Sequence, residues 1–185
     1  GLGDVYKRQD RDRRYCCTIM EQLNVLVWDV DYCIAPEEPF PAAVEEAYGI
    51  AAYAFDHAEE LGIDPDKIIL AGHSAGGNLV AAACLKNAET HRLHPCCVLM
   101  EYFPTDNTVD PLRRLSPELQ KDPFWAKRAE TEKLYTDFYV GKADPADPLC
   151  SPAKAADEAL ASFPDSLILS AGEDSLREDV EAFVL

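Results

Sequence analysis

Residues 67–77 read KIILAGHSAGG, and this stretch decides the fold. The run Ile68-Ile69-Leu70-Ala71 is short, aliphatic and bounded by a charge and a glycine, which reads as a buried strand. The pentapeptide Gly72-His73-Ser74-Ala75-Gly76 follows at once, with Gly77 behind it. It fits G-x-S-x-G, the sharp strand-to-helix turn that lifts a serine hydroxyl clear of a sheet. Residues 75–87 then read as a helix of small and aliphatic residues. The pattern predicts a strained backbone at Ser74, with only glycine-sized groups fitting two residues before it and two after it. It also aims the Ala75 N–H, at the start of the helix, toward a developing oxyanion. Ser74 is the candidate nucleophile.

Working outward, the chain alternates. Residues 24–30 (NVLVWDV) read as a buried strand, and residues 40–61 carry apolar or small groups at Val44, Ala47, Ala51, Ala54, Phe55, Ala58 and Leu61. That is helical spacing, with a stop at Gly62. Residues 96–103 (CCVLMEYF) and 166–171 (SLILSA) read as further strands, and a last helix opens near Glu178. Continuous apolar strands separated by helices predict an α/β fold with a mostly parallel sheet and helices on both faces. Between the last two strands lie residues 104–165, rich in proline and charge, with a helical stretch over 129–140. An insert of that length predicts a cap or lid, or part of a binding pocket. Trp28, Tyr53 and Phe55 read as packing residues. Phe124, Trp125, Tyr135, Phe138 and Tyr139 are aromatic enough to line a pocket, but the sequence assigns none of them to binding.

A serine needs a base to take its proton, and the base needs an orienting carboxylate. On this fold the order is nucleophile, acid, histidine. SLILSAGED brings Glu173 and Asp174 just past a strand; Asp174 is the chosen acid, Glu173 its competitor, and a plain helix cap is the structural alternative for either. No histidine follows Asp174. His57 sits in a helix, His73 is locked beside the serine, and His91 and His94 occupy a surface connection, so all four read as structural or solvated. The expectation is a chain truncated at both ends, a partial domain over 15–185 behind a candidate non-native lead-in at 1–14.

Composition narrows the partners. Of 185 residues, 48% are apolar and 28% charged, a globular mix that excludes a disordered or collagen-like chain. Acids outnumber bases 34 to 17. The first fourteen residues hold five of the bases and three of the acids, so 31 acids and 12 bases follow, a charge of −19. Such a surface repels phosphate backbones and anionic lipid, which predicts neither nucleic-acid nor membrane partners. Seven cysteines without any C-x-x-C spacing point to reduced thiols and a cytoplasmic setting. No metal spacing and no nucleotide loop occur, so no cofactor is expected. Self-association stays open.

Four blocks carry a family resemblance. DYCIAPEEPFPAA (31–43), GIDPDKIILAGHSAGGNLVAAA (62–83), DPLCSPAKA (147–155) and GEDSLREDVEAF (172–183) resemble, in order, the α/β-hydrolase fold-3 group, the esterases related to hormone-sensitive lipase. The resemblance implies a serine carboxylesterase for small acyl esters, with Ser74 as nucleophile and Asp174 as triad acid. The family's His-Gly-Gly oxyanion motif and its triad histidine have no counterpart among these residues. His73 stands where many members carry Asp, Cys33 for a usual Arg, and Ser175 for a usual Pro. Two competing functions remain at this stage: a serine peptidase of the same fold, and a ligand-binding scaffold without catalysis.

Overall fold

The computed structural model describes the backbone of residues 5–185 and the side chains of residues 12–185. The chain divides after Tyr32 into two units. In the first, α1 (Val5–Leu23) is one continuous helix, ended by Asn24 in the left-handed region at φ 51°. Most of the stretch set apart as a lead-in therefore lies in a helix that continues to Leu23; its first four residues are outside the described residues.

The expected strand over 24–30 does not form. Val25, Leu26 and Trp28 are 44%, 58% and 40% exposed, which also corrects the packing role read for Trp28. The reason is that an apolar run states only a preference for burial. A strand exists when a neighbour takes its backbone N–H and C=O groups, and here no described residue forms that ladder.

In the second unit, α2 (Ala42–Asp56) and α3 (Ala58–Leu61) replace the single helix expected over 40–61, broken at His57. The buried face of α2 is Val44, Tyr48, Ala51 and Ala52. Tyr53, read as packing, instead lies outside, 49% exposed, with its ring stacked on His57. Gly62 ends α3 in the left-handed region at φ 66°. Then come β1 (Ile69–His73), α4 (Ala75–Thr90) and β2 (Cys97–Glu101). The insert holds α5 (Pro123–Val140) and α6 (Asp157–Leu160), and β3 (Ser166–Leu169) and α7 (Arg177–Val184) complete the unit.

The three strands form a parallel sheet in the order β1-β2-β3, as the alternation requires. Val98 and Met100 of β2 point to one face and pack with Val80, Ala81 and Cys84 of α4, Val180 of α7, and Phe103. Gly77 to Leu85 are all buried, so α4 is enclosed on every side. Small residues allow that: alanine and glycine let neighbouring elements approach closely. The opposite face carries Leu167 and Leu169, which remain 57% and 45% exposed.

The insert is fastened at its roots. Ser151, buried, accepts from Asn107 N (2.7 Å) and donates to Pro145 O (2.6 Å). Arg114 Nε donates to Asp179 Oδ2 at 2.6 Å, tying the insert to α7. Burial alone would raise the Asp106 carboxyl, but Lys154 Nζ at 2.7 Å and the Thr108 donors overcome it and hold it below the ordinary carboxylate range. Most of these polar anchors tie the two arms of the insert to each other, and the Arg114–Asp179 pair ties it to α7.

Candidate active site

The register of the sheet builds the site. His73, Glu101 and Leu169 are partners across one rung at the carboxyl edge. The next residue after His73 is Ser74; Asp174 follows Leu169 by five residues. The candidate nucleophile and the candidate acid thus emerge from the same edge of a parallel sheet, two strands apart, or about 10 Å at the usual strand spacing. That edge is where open α/β sheets place their ligands.

Ser74 has φ 52° and ψ −122°, outside every well that an L-residue normally occupies. Strain of this kind costs on the order of 1–3 kcal/mol and persists only where surroundings impose it. Here they do. Ser74 N donates to Glu101 O at 2.9 Å, and Gly77 N returns to Ser74 O at 3.0 Å. Ser74 occupies the N-cap of α4, where serine ordinarily accepts a bond from the first-turn amides. It makes no such bond, and the residue is exposed. Its hydroxyl is thus not spent on capping the helix it precedes.

Glycine is enforced at two positions, and they are not the expected pair. A Cβ on Gly72 would lie 2.3 Å from the Gly76 carbonyl, and one on Gly77 would lie 2.6 Å from Phe103 Cβ. A Cβ on Gly76 would meet nothing within 4 Å. The expected crowding two residues after the serine is therefore corrected: the tight approach falls three residues after it, because Gly77 is the helical residue packed on Phe103, just past the end of β2.

Ala75 opens α4, so its N–H has no intrahelical acceptor and stands beside Ser74 at the positive end of the helix. Asp174 is half-buried. Its Oδ1 accepts from Leu176 N at 2.9 Å, closing the turn into α7, and lies 3.4 Å from Ser175 Oγ. Oδ1 is held by the turn as a cap, and no hydrogen bond to Oδ2 occurs among the described residues, so the capping role leaves the second oxygen of this candidate acid uncommitted. Glu173 is exposed.

His91 and His94 fall where the sequence reading puts them, past the end of α4, whereas His57 sits in the break between α2 and α3 and not within a helix. Sixteen residues of α4 separate Ser74 from His91, about 24 Å of helix. His94 meets the ring of Phe55, and His57 follows Asp56, which pairs with Arg92 beyond the far end of α4. His73 lies beside Ser74 in the chain, in ring contact with Tyr102. None of His57, His91 and His94 reaches the carboxyl edge.

Three contributors escape the sequence reading. Tyr102, at φ 34°, bends the chain out of β2 while its N–H bonds Leu169 O at 2.7 Å. Asn78, 2% exposed on the first turn of α4, donates to Pro104 O (2.9 Å) and Cys150 O (3.1 Å). Glu132, on α5, accepts from Ser175 Oγ at 3.2 Å and from Arg128 Nε at 2.9 Å. A polar residue amid NLVAAAC was the one available signal, and it marked Asn78. Phe124, 68% exposed, packs edge-on against Trp125.

Comparison with known proteins gives a consistent picture. A family model described as alpha/beta hydrolase fold matches residues 3–184. The carboxylic ester hydrolase LipN of Mycobacterium tuberculosis is 33% identical over 188 residues, covering 98% of this chain and 48% of LipN. An arylesterase of Saccharolobus solfataricus is 34% identical over 158 residues, covering 85% of this chain and 50% of its own length. The hyperthermophilic esterase of Pyrobaculum calidifontis superposes with a TM-score of 0.78 at 29% identity, covering 98% of this chain and 56% of that one. This chain spans about half the length of the curated relatives it matches. None of its described helices is long and apolar enough to cross a membrane.

Proposed function

The chain belongs to the α/β-hydrolase fold family, and from that premise we propose that it carries the nucleophile, one oxyanion donor and the acid of a serine carboxylic ester hydrolase acting on small esters. The observation that carries the reading is Ser74: an exposed serine on a strained turn, at an N-cap it does not use for capping. Relatives named as ester hydrolases supply the reaction class.

Ser74 Oγ attacks the acyl carbon as its proton passes to the base. The carbonyl oxygen becomes an oxyanion that the Ala75 N–H steadies, and the alcohol leaves with the proton that the base returns. Water then attacks the acyl-enzyme by the same route and frees Ser74. Asp174 holds the base in the right tautomer and orientation through its Oδ2. His57, His91 and His94 lie away from Ser74 and His73 is in ring contact with Tyr102, so none of these four histidines is assigned as the base. Seven free thiols, with Cys84 and Cys150 pushed up to about 12 by burial, fit the cytoplasmic setting that forms part of this proposal.

The test is covalent labelling of the full-length protein. A fluorophosphonate should modify Ser74, and Ser74→Ala should abolish both labelling and p-nitrophenyl acetate hydrolysis, with turnover falling on the order of 10⁶-fold. Labelling that survives the substitution overturns the assignment. An unlabelled, inactive native protein points to the ligand-binding scaffold, and faster cleavage of the matching anilide than of the ester points to a peptidase.

A further inference from the structure

Helix α5 touches both halves of the site. Near its middle, Glu132 accepts from Ser175 Oγ (3.2 Å), the residue next to Asp174. Two turns later, Tyr139 Oη donates to Asn78 Oδ1 (3.3 Å), one turn into the helix that begins at Ser74. Residues seven apart share a helix face and stand about 10.5 Å apart along the axis. That length matches the two-strand gap of about 10 Å between β1 and β3. The helix therefore bridges the two, meeting the acid loop from its middle and the nucleophile helix from its last turn.

Both contacts are backed. Phe40 N donates to Tyr139 O at 2.7 Å, and the Phe40 ring meets the Tyr139 ring edge-on at 5.9 Å. Asn78 is fully committed, with its amide on Pro104 O and Cys150 O and its oxygen on Tyr139. Arg128 Nε fixes Glu132 from the preceding turn. Ser175 has one hydroxyl proton and two carboxylates in reach, Glu132 at 3.2 Å and Asp174 at 3.4 Å. It donates to one at a time, so the position of Glu132 decides how much of that proton Asp174 Oδ1 receives.

We infer that α5 is a brace that sets the separation and orientation of nucleophile and acid, with Glu132 and Tyr139 as positioning residues acting through Ser175 and Asn78. The inference rests on the reading of Ser74 and Asp174 given above. The insert then does more than cover the site: it sets the span at which Ser74 and Asp174 meet a shared base. Misplacing a reacting group by about 1 Å can cost on the order of 10²-fold in rate, so a slackened brace should show in turnover.

The test uses the full-length protein and p-nitrophenyl acetate across a range of pH. Tyr139→Phe and Glu132→Ala should each lower kcat about tenfold, with KM moved less than about twofold, because the ester itself is not touched. Glu132→Ala should also displace the acidic limb of the kcat profile, since the proton shared by Ser175 then goes to Asp174 alone. Glu132→Gln keeps an acceptor for Ser175 and should recover most of the loss. The double variant should cost less than the product of the single losses, because releasing either end frees the same helix. Unchanged kcat and pH profile beside a lowered melting temperature would show α5 to be structural only and overturn the inference. Asp174→Asn is the internal reference. If it cripples turnover while the α5 variants do not, the inference alone falls; if it is silent, the reading of the acid falls and takes the inference with it.

Discussion

The two edges of this sheet are closed by opposite means. At the amino edge, each chain reversal is made from low-energy pieces. Asp64 caps the turn at Pro65–Lys67. His91 ends α4 at φ 52°, ψ 31°, and the Asn87 side chain both donates to and accepts from Leu93 at 2.8 Å. A cavity of about 250 Å³ remains there, lined by Leu70, Cys84, Asn87 and His91 among others. At the carboxyl edge Ser74 has the same φ of 52° but ψ −122°. One residue sits in the left-handed well that side chains tolerate, the other outside any well. The contrast teaches that a positive φ alone marks nothing; strain plus an unused capping hydroxyl separates a site from a turn.

Substitutions at the two edges should sharpen that contrast. Beyond Ser74 itself, the largest expected effect is at Asp174. Asp174→Asn keeps the bond from Leu176 N and so the fold, yet should cost on the order of 10⁴-fold in kcat. Glu173→Gln, at an exposed neighbour, should cost far less, and a reversal of the two would move the acid by one residue.

Next come the glycines. Gly72→Ala sets a methyl against backbone at 2.3 Å, where no side chain can give way. Overpacking ordinarily costs about 1–3 kcal/mol, and this backbone clash should reach or exceed the top of that range in a denaturant melt. Gly76→Ala meets open space and should be neutral or slightly stabilising, alanine being the better helix former. A stable Gly72→Ala beside an unfolded Gly76→Ala would break the geometric account of the elbow. The smallest effects belong to the amino edge. His94→Ala, and His91→Asn at the left-handed position, should leave kcat unchanged and stability within about 0.5 kcal/mol. A loss of turnover in either would mean that the base lies on the wrong side of the sheet.

Much of this was legible before any coordinates. KIILAG, CCVLMEYF and SLILSA mark β1, β2 and β3, with β1 running one residue further to His73, because the strands are written as short continuous apolar runs even where Ile69, Leu167 and Leu169 stay half-exposed. Ser74, Ala75 and Asp174 come to one edge because a parallel sheet places every strand-to-helix turn on the same side. Residues 24–30 misled for a related reason: their apolar character resembles that of β1, but pairing is a property of two segments and no single segment encodes it. Helix α1 was missed because a lead-in drawn over residues 1–14 cuts in two a segment whose helical spacing runs on to Leu23. The beginning of α5 at Pro123 was missed because Asp122 and Pro123 act as cap and first residue, while the apolar pattern gathers only later. Glu132 and Tyr139 were out of reach in principle: contacts across 43 and 61 residues leave no local trace.

The close approaches at Gly72 and Gly77 bear on how copies of such a chain diverge. Substitutions at 72 and 77 are removed by folding itself, before any selection on turnover, whereas 76 is open to any small side chain. A small side chain is admitted at 76 and excluded at 72 and 77, so the steric rule of this elbow is spelled G-x-S-x-x-G, and the glycine packed on Phe103 belongs to it as fully as the one before the serine.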